Sequence, residues 1–98
     1  MEIKKSQEGK ELTIALEGRL DTMTSPELEA EMKASLPGAD SLVMDLSELA
    51  YISSAGLRVL LAAQKVMSKK KGMVIRNAGP EIKEIFAITG FSGIFTIE

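Results

Sequence analysis

The stretch that decides the fold is residues 41–65, SLVMDLSELAYISSAGLRVLLAAQK, in which an apolar run precedes an apolar helix. Residues 41–46, SLVMDL, have the length and composition of a strand that is buried on both faces or nearly so. Residues 57–63 contain Arg58 as their only polar residue. They predict a helix that contacts the rest of the molecule on more than one side. A buried strand followed by a buried helix indicates an α/β domain.

Upstream of this pair, the sequence predicts a hairpin of two strands. Residues 2–5 form a short strand, and SQEGK forms a turn that contains Gly9. Residues 11–18 alternate in polarity, which places Leu12, Ile14 and Leu16 on one face. We expect the two strands to pair in antiparallel fashion.

A helix is predicted over residues 24–36, TSPELEAEMKASL. Thr24 or Ser25 can cap it, and Thr24 and Glu27 have the spacing of a capping box. Pro26 lies in the first turn, where its missing N–H costs nothing. Pro37 and the glycine that follows it end the helix.

Downstream, residues 69–71 are three lysines, which favour the end of the long helix because they complement its dipole. Residues 72–77 predict a strand, a short helix opens at Gly79 and closes at Gly90, and residues 93–97 predict a last strand. The order is β-β-α-β-α-β-α-β. We therefore expect a single α/β domain over residues 1–98, with a mixed, mostly parallel sheet, right-handed crossovers and flanking helices.

Composition excludes several classes of function. The 98 residues carry a net charge of −2, and a nucleic-acid partner would favour a basic surface. Without cysteine or histidine, thiolate and imidazole metal sites and a Ser-His-Asp triad cannot form. No run is long enough to span a membrane, and the first residues lack the apolar region of a signal peptide. We expect a cytoplasmic protein that is not an enzyme and has no cofactor or metal.

Polar residues follow three of the predicted strands: Asp21 and Thr22, then Ser53 and Ser54, then Asn77. The carboxyl ends of parallel strands meet at one edge, so we expect these residues to be neighbours. Ser54 falls at or near the N-cap, where the helix dipole favours a negative charge, and Arg58 lies one turn further. The alternative is that the serines only cap the helix, a common role worth about 1 kcal/mol.

Three motifs resemble the STAS domain of bacterial anti-sigma factor antagonists. YISSAGL at residues 51–57 resembles the family's Asp-Ser-Ser/Ala-Gly-Leu signature, and GRLD at 18–21 resembles its Gly-x-Leu/Ile-Asp. Gly90 and Phe91 resemble its late Gly-Leu/Phe pair. The resemblance covers essentially the whole chain, and its pieces occur in the family's order.

The resemblance implies a partner switch. In this family the unmodified antagonist binds an anti-sigma factor that is also a serine kinase of the GHKL ATPase type, which frees the sigma factor. Phosphorylation of the motif serine ends the binding, and a phosphatase reverses it. The acceptor falls on Ser54, with Asp21 and Thr22 nearby and Gly56 and Leu57 at the helix start that faces the partner. Ser53 stands where the family often has aspartate and is our second choice of acceptor.

Two alternatives to this function stay open. The chain could be a non-enzymatic STAS scaffold, or an accessory subunit of a signalling or transport complex, in which Ser54 is never modified. It could also be a small enzyme or nucleotide-binding domain that uses the same edge. The missing histidine and the missing glycine-rich phosphate loop argue against the latter. The free protein is expected to be a monomer.

Overall fold

Five strands form one sheet, and three helices pack against it in a computed structural model that describes all of residues 1–98. The strands are β1 (Glu2–Glu8), β2 (Glu11–Leu20), β3 (Ser41–Ile52), β4 (Met73–Arg76) and β5 (Thr96–Ile97). The helices are α1 (Ser25–Ser35), α2 (Ser54–Met67) and α3 (Pro80–Thr89). Short 3₁₀ turns occupy Leu36–Gly38 and Phe91–Gly93.

The sheet has the spatial order β1-β2-β3-β4-β5, so each strand pairs with its neighbour in sequence. β1 is antiparallel to β2, and the remaining pairs are parallel. The predicted order of elements, the antiparallel first strand and the mixed, mostly parallel sheet are therefore confirmed.

One core joins the sheet to all three helices. The buried alternating residues of β2 and the inward residues of the helices belong to the same hydrophobic cluster, whose fully buried members include Leu12, Ile14, Leu28, Leu60 and Phe86. In β2 the intervening residues Thr13 and Ala15 lie on the opposite face and are only half-buried. The helices therefore cover one face of the sheet and leave the other open.

The bounds of several strands differ from the prediction. β1 continues to Glu8, because Ser6, Gln7 and Glu8 pair with β2 instead of forming the turn. β2 continues to Leu20, two residues past the predicted end. The largest difference is in β3, which runs through SELAYI to Ile52 where a loop was expected. β5 has two residues, since Phe91–Gly93 turn before it.

Bulges explain why the second half of β3 was missed. The register of β2 against β3 shifts between Ala15 and Glu17 and again between Gly18 and Arg19. The buried residues of this half, Leu46, Leu49 and Ile52, are consequently three apart instead of two. The alternation that identifies a strand is lost wherever bulges insert extra residues.

Candidate functional site at the start of helix α2

The two serines before α2 have different roles in the structure. Ser53 is the N-cap, and its Oγ accepts a hydrogen bond from the backbone N–H of Gly56 at 3.4 Å. Ser54 is the first residue of the helix, next to the N-cap, which agrees with its expected position at or near the cap. Its side chain is exposed, and its hydroxyl has no hydrogen-bond partner within the chain. The half-buried Ser53 hydroxyl is thus engaged, whereas the Ser54 hydroxyl is free.

The sheet positions these serines beside the end of β2. The backbone N–H of Ser53 donates to the carbonyl of Leu20 at 2.9 Å, and Leu20 pairs with Ile52. Asp21 and Ser53 are therefore the next residues of two adjacent chain segments, and Ser54 follows Ser53 directly. The expected closeness of these two strand ends is present in the structure.

Asp21 organises the start of α1. Its Oδ1 accepts hydrogen bonds from the backbone N–H of Met23 at 3.0 Å and of Thr24 at 3.1 Å. The bond from Thr24, followed by that from Met23 and by the charge of Arg19, holds the pKa of the Asp21 carboxyl below its usual value. Neither Thr24 nor Ser25 caps α1 through its side chain, and the predicted capping box with Glu27 is absent. The Asp21 carboxylate holds the turn before α1, whereas the backbone N–H of Glu27 donates to the carbonyl of Thr24 at 3.1 Å.

Gly56 and Leu57 lie inside the molecule and do not form the outer surface of the helix start. Leu57 is 3% exposed. A Cβ on Gly56 would lie 2.6 Å from Leu20 Cγ and 3.0 Å from Ile52 Cγ1. Gly56 and Leu57 thus lie at the predicted helix start, but both are buried, so neither presents a side chain to a partner. Their packing in the core holds the first turn of α2, and with it Ser54, in position on the sheet.

Arg58 and Thr22 are exposed beside Ser54, as expected from their positions. The Nε of Arg58 lies 3.5 Å from the carbonyl oxygen of Ser54, a marginal hydrogen bond. Both side chains line an open groove of about 260 Å³ between the first turns of α1 and α2, with Ala55 and Glu29. A guanidinium therefore lies one helical turn from the free hydroxyl.

Asn77 does not belong to this site. β4 pairs with β3 only from Leu42 to Asp45, so Asn77 follows at the level of Asp45, and its Nδ2 donates to Asp45 Oδ1 at 3.3 Å. Ile52 lies seven residues further along β3, or roughly 20 Å at the usual rise per residue. The expectation that all the polar strand ends would be neighbours is wrong for Asn77, because β3 is much longer than β4.

Sequence reasoning missed an exposed cluster on the other side of Asp21. Arg19 lies over the ring of Tyr51, 4.3 Å from its centroid, and its Nε is 3.8 Å from Asp21 Oδ2. Met23 is 86% exposed in the following loop. Arginine, tyrosine and methionine are enriched in protein interfaces. Arg19 and Tyr51 are neighbours because β2 pairs with the second half of β3. The sequence analysis did not predict that half of β3 and therefore could not place the two residues together.

The structure contains no group of three or more histidine, cysteine, aspartate or glutamate side chains placed to hold a metal ion. None of its helices combines the length and apolarity needed to cross a bilayer. The arrangement at Ser54 offers an exposed hydroxyl and a nearby guanidinium at the N-terminus of α2, where the Gly56 N–H is already bonded to Ser53 Oγ. These groups can accept and stabilise an anion, but they include no general base aimed at the hydroxyl.

Comparison with known proteins agrees with this geometry. The family model described as "Mlab, STAS domain" matches residues 3–97. The chain is 39% identical over 88 residues to the proposed anti-sigma factor antagonist BtrV of Bordetella bronchiseptica, covering 88% of this chain and 76% of that protein. It is 26% identical to the anti-sigma-B factor antagonist of Listeria monocytogenes, covering 96% and 84%.

Solved structures share the fold. The crystal structure of an anti-sigma factor antagonist from Mycobacterium paratuberculosis superposes with a TM-score of 0.89 at 25% identity, covering 98% of this chain and 83% of that one. The phosphorylated form of SpoIIAA from Bacillus gives a TM-score of 0.76 at 15% identity, covering 99% and 91%. These relatives are named for a regulatory role, and the class is non-enzymatic, as expected for this chain. The chain therefore belongs to the STAS domain family of bacterial anti-sigma factor antagonists.

Proposed function

We propose that this protein is an anti-sigma factor antagonist controlled by phosphorylation of Ser54. Unmodified, it binds an anti-sigma factor that is also a serine kinase of the GHKL ATPase type, and sigma-factor-dependent transcription proceeds. The kinase transfers the γ-phosphoryl group of ATP to the Ser54 hydroxyl, which loses its proton, and ADP leaves. A phosphatase hydrolyses the phosphoserine and resets the switch. The role places the protein in the cytoplasm, as a monomer when free.

The observation that carries this proposal is the difference between the two serine hydroxyls. Ser54 is exposed with a free hydroxyl, whereas Ser53 is half-buried and accepts a hydrogen bond from Gly56 N–H. A kinase active site must reach the acceptor oxygen, so it finds Ser54 available and Ser53 engaged. This favours Ser54 over the second choice, Ser53.

The chemistry of the helix start supports a switch by charge. A phosphoryl group adds about −1.5 to −2 charge and strong acceptor oxygens. Within a docking surface these charges lose their hydration when the partner binds. A penalty of ~3 kcal/mol weakens binding about a hundredfold. The carboxylate of Asp21, on the adjacent strand end, adds a second negative charge to the same surface, and hydrogen bonds from Thr24 and Met23 hold its pKa below the usual value.

The test uses the purified chain, ATP and a candidate GHKL-type serine kinase from the same organism. Intact-mass and peptide mass spectrometry should find one phosphate, on Ser54. Ser53→Ala is the matched control: it loses the cap hydrogen bond but should still be phosphorylated. Ser54→Ala should bind the kinase and remain unmodified, and Ser54→Asp should bind about a hundredfold more weakly.

Two results would contradict the proposal. Full phosphorylation of Ser54→Ala would place the acceptor elsewhere, and Ser53 would then be examined first. Tight binding of the kinase by wild type without any phosphorylation would support the scaffold or accessory-subunit alternative instead.

A further inference from the structure

A second surface leads away from Ser54 along the same two helices. α1 and α2 run side by side in the same direction, and an open groove of about 260 Å³ lies between their C-terminal halves. Its floor is formed by Met32 and Leu36, each 4% exposed. Its α2 wall includes Ala62, which is exposed, and Val66, which is 45% exposed. The groove is therefore apolar and uncovered.

This groove is continuous with the one beside Ser54. Glu29 and Val59 line both of them. From Ser54 to Val66 the helix advances by 12 residues, or about 18 Å at 1.5 Å per residue. The two grooves together form a channel about three helical turns long, in which the Ser54 end is lined mostly by polar side chains and the far half is apolar.

Three charged side chains of alternating sign lie along the channel. Arg58 lies at the Ser54 end, Glu29 lies where the two grooves meet, and Lys33 lines only the far groove. None of the three forms an ion pair within the chain, whose ion pairs join other residues. These charges are free to pair with an incoming molecule.

We propose that the channel between α1 and α2 receives an amphipathic helix of the same kinase partner. This inference rests on the proposed function. The apolar face of that helix packs on Met32, Leu36 and Val66, with an acidic residue opposite each of Arg58 and Lys33. The apolar channel supplies most of the affinity, and Ser54 supplies the switch.

The test measures the dissociation constant for the purified kinase by isothermal titration calorimetry. Val66→Asp places a charge in the channel and should weaken binding at least about tenfold. The matched control is Ile88→Asp on α3, because Ile88 is 77% exposed and lies outside both grooves. The control should change binding by less than about twofold. Circular dichroism melts verify that both variants fold.

A second variant keeps the proposal testable if Val66→Asp is unstable. Lys33→Glu changes one exposed side chain. It should weaken binding severalfold, and more at low than at high salt. If both variants bind the kinase with the dissociation constant of wild type, the proposed docking of a partner helix in the channel is wrong, but the proposed phosphorylation switch at Ser54 is not affected. Wild type that neither binds nor is phosphorylated would overturn both. Loss of a wild-type homodimer in Val66→Asp, measured by light scattering, would assign the channel to a second copy and overturn the partner helix.

Discussion

Replacing Gly56 by alanine tests the packing that holds the switch serine in place. The added Cβ would lie 2.6 Å from Leu20 Cγ and 2.9 Å from Leu20 Cδ2. Carbon atoms in contact prefer about 3.5–4.0 Å, so one group must move by about 1 Å. Leu20 is fully buried, and a close-packed interior has little room for such a shift.

Two opposing terms set the size of the effect. Overpacking a core costs about 1–3 kcal/mol. Alanine gains up to about 1 kcal/mol over glycine in a helix interior, and less in the first turn where residue 56 lies. We expect the free energy of unfolding to fall by about 1–2 kcal/mol. For a domain of this size that lowers Tm by about 4–15 °C.

The assay is urea unfolding followed by circular dichroism, with Gly38→Ala as the matched control. Gly38 has no positive φ, and a Cβ there would meet nothing within 4 Å. Both variants change the unfolded chain in the same way, so their difference isolates the contact with Leu20. Gly38→Ala should be neutral or stabilising by up to about 1 kcal/mol. Gly56→Ala with a stability equal to or above that of Gly38→Ala would refute the steric argument.

Two other predictions concern the supports of the site. Asp21→Asn should destabilise the protein at pH 7, because the folded state lowers the pKa of Asp21 and so favours its ionised form. The stabilisation by ionised Asp21 is present above its unfolded pKa of about 3.9 and is lost as pH falls through the lower folded pKa. In urea unfolding at acid pH, the difference in free energy of unfolding between wild type and Asp21→Asn should therefore become smaller. Lys70 Nζ donates to the carbonyls of Leu36 at 2.8 Å and Ala39 at 2.7 Å. Lys70→Met should therefore lower the free energy of unfolding by about 1–3 kcal/mol, whereas Lys69→Met should lower it by less than about 0.5 kcal/mol. Equal effects of the two substitutions would contradict a stabilising role for the two hydrogen bonds of Lys70.

The sequence predicted the order of elements because their periodicities and stop signals are local. Alternation in β2, the apolar interior of α2 and the glycine that ends α3 each depend on a few neighbouring residues. The length of β3 could not be predicted in this way. Its bulges arise from the register against β2, which is a property of two segments and leaves no two-residue period in either.

The start of α2 was predictable from the sequence, whereas Asn77 was wrongly expected at the same edge. Either serine can cap a helix, so the pattern alone does not separate Ser53 from Ser54. The choice is made by a hydrogen bond between distant segments, from Ser53 N–H to the carbonyl of Leu20. The same limit applies to Lys70, which the sequence places at a solvated helix end. Its two carbonyl acceptors are more than 30 residues away.

Ser53 and Ser54 have separate roles, because Ser53 stabilises the helix start and Ser54 is the proposed site of the switch. Ser53 supplies the cap, so a modification of Ser54 removes no hydrogen bond from the fold. A negative charge at the first position of α2 is favoured by the helix dipole by about 0.3–1 kcal/mol. The same charge opposes a docked partner by several times that energy if the proposed switch operates. Ser54→Asp should therefore melt at or above the temperature of wild type while binding its kinase far more weakly. A lowered melting temperature in Ser54→Asp would show that its weak binding reflects damage to the helix start instead of a charge gate.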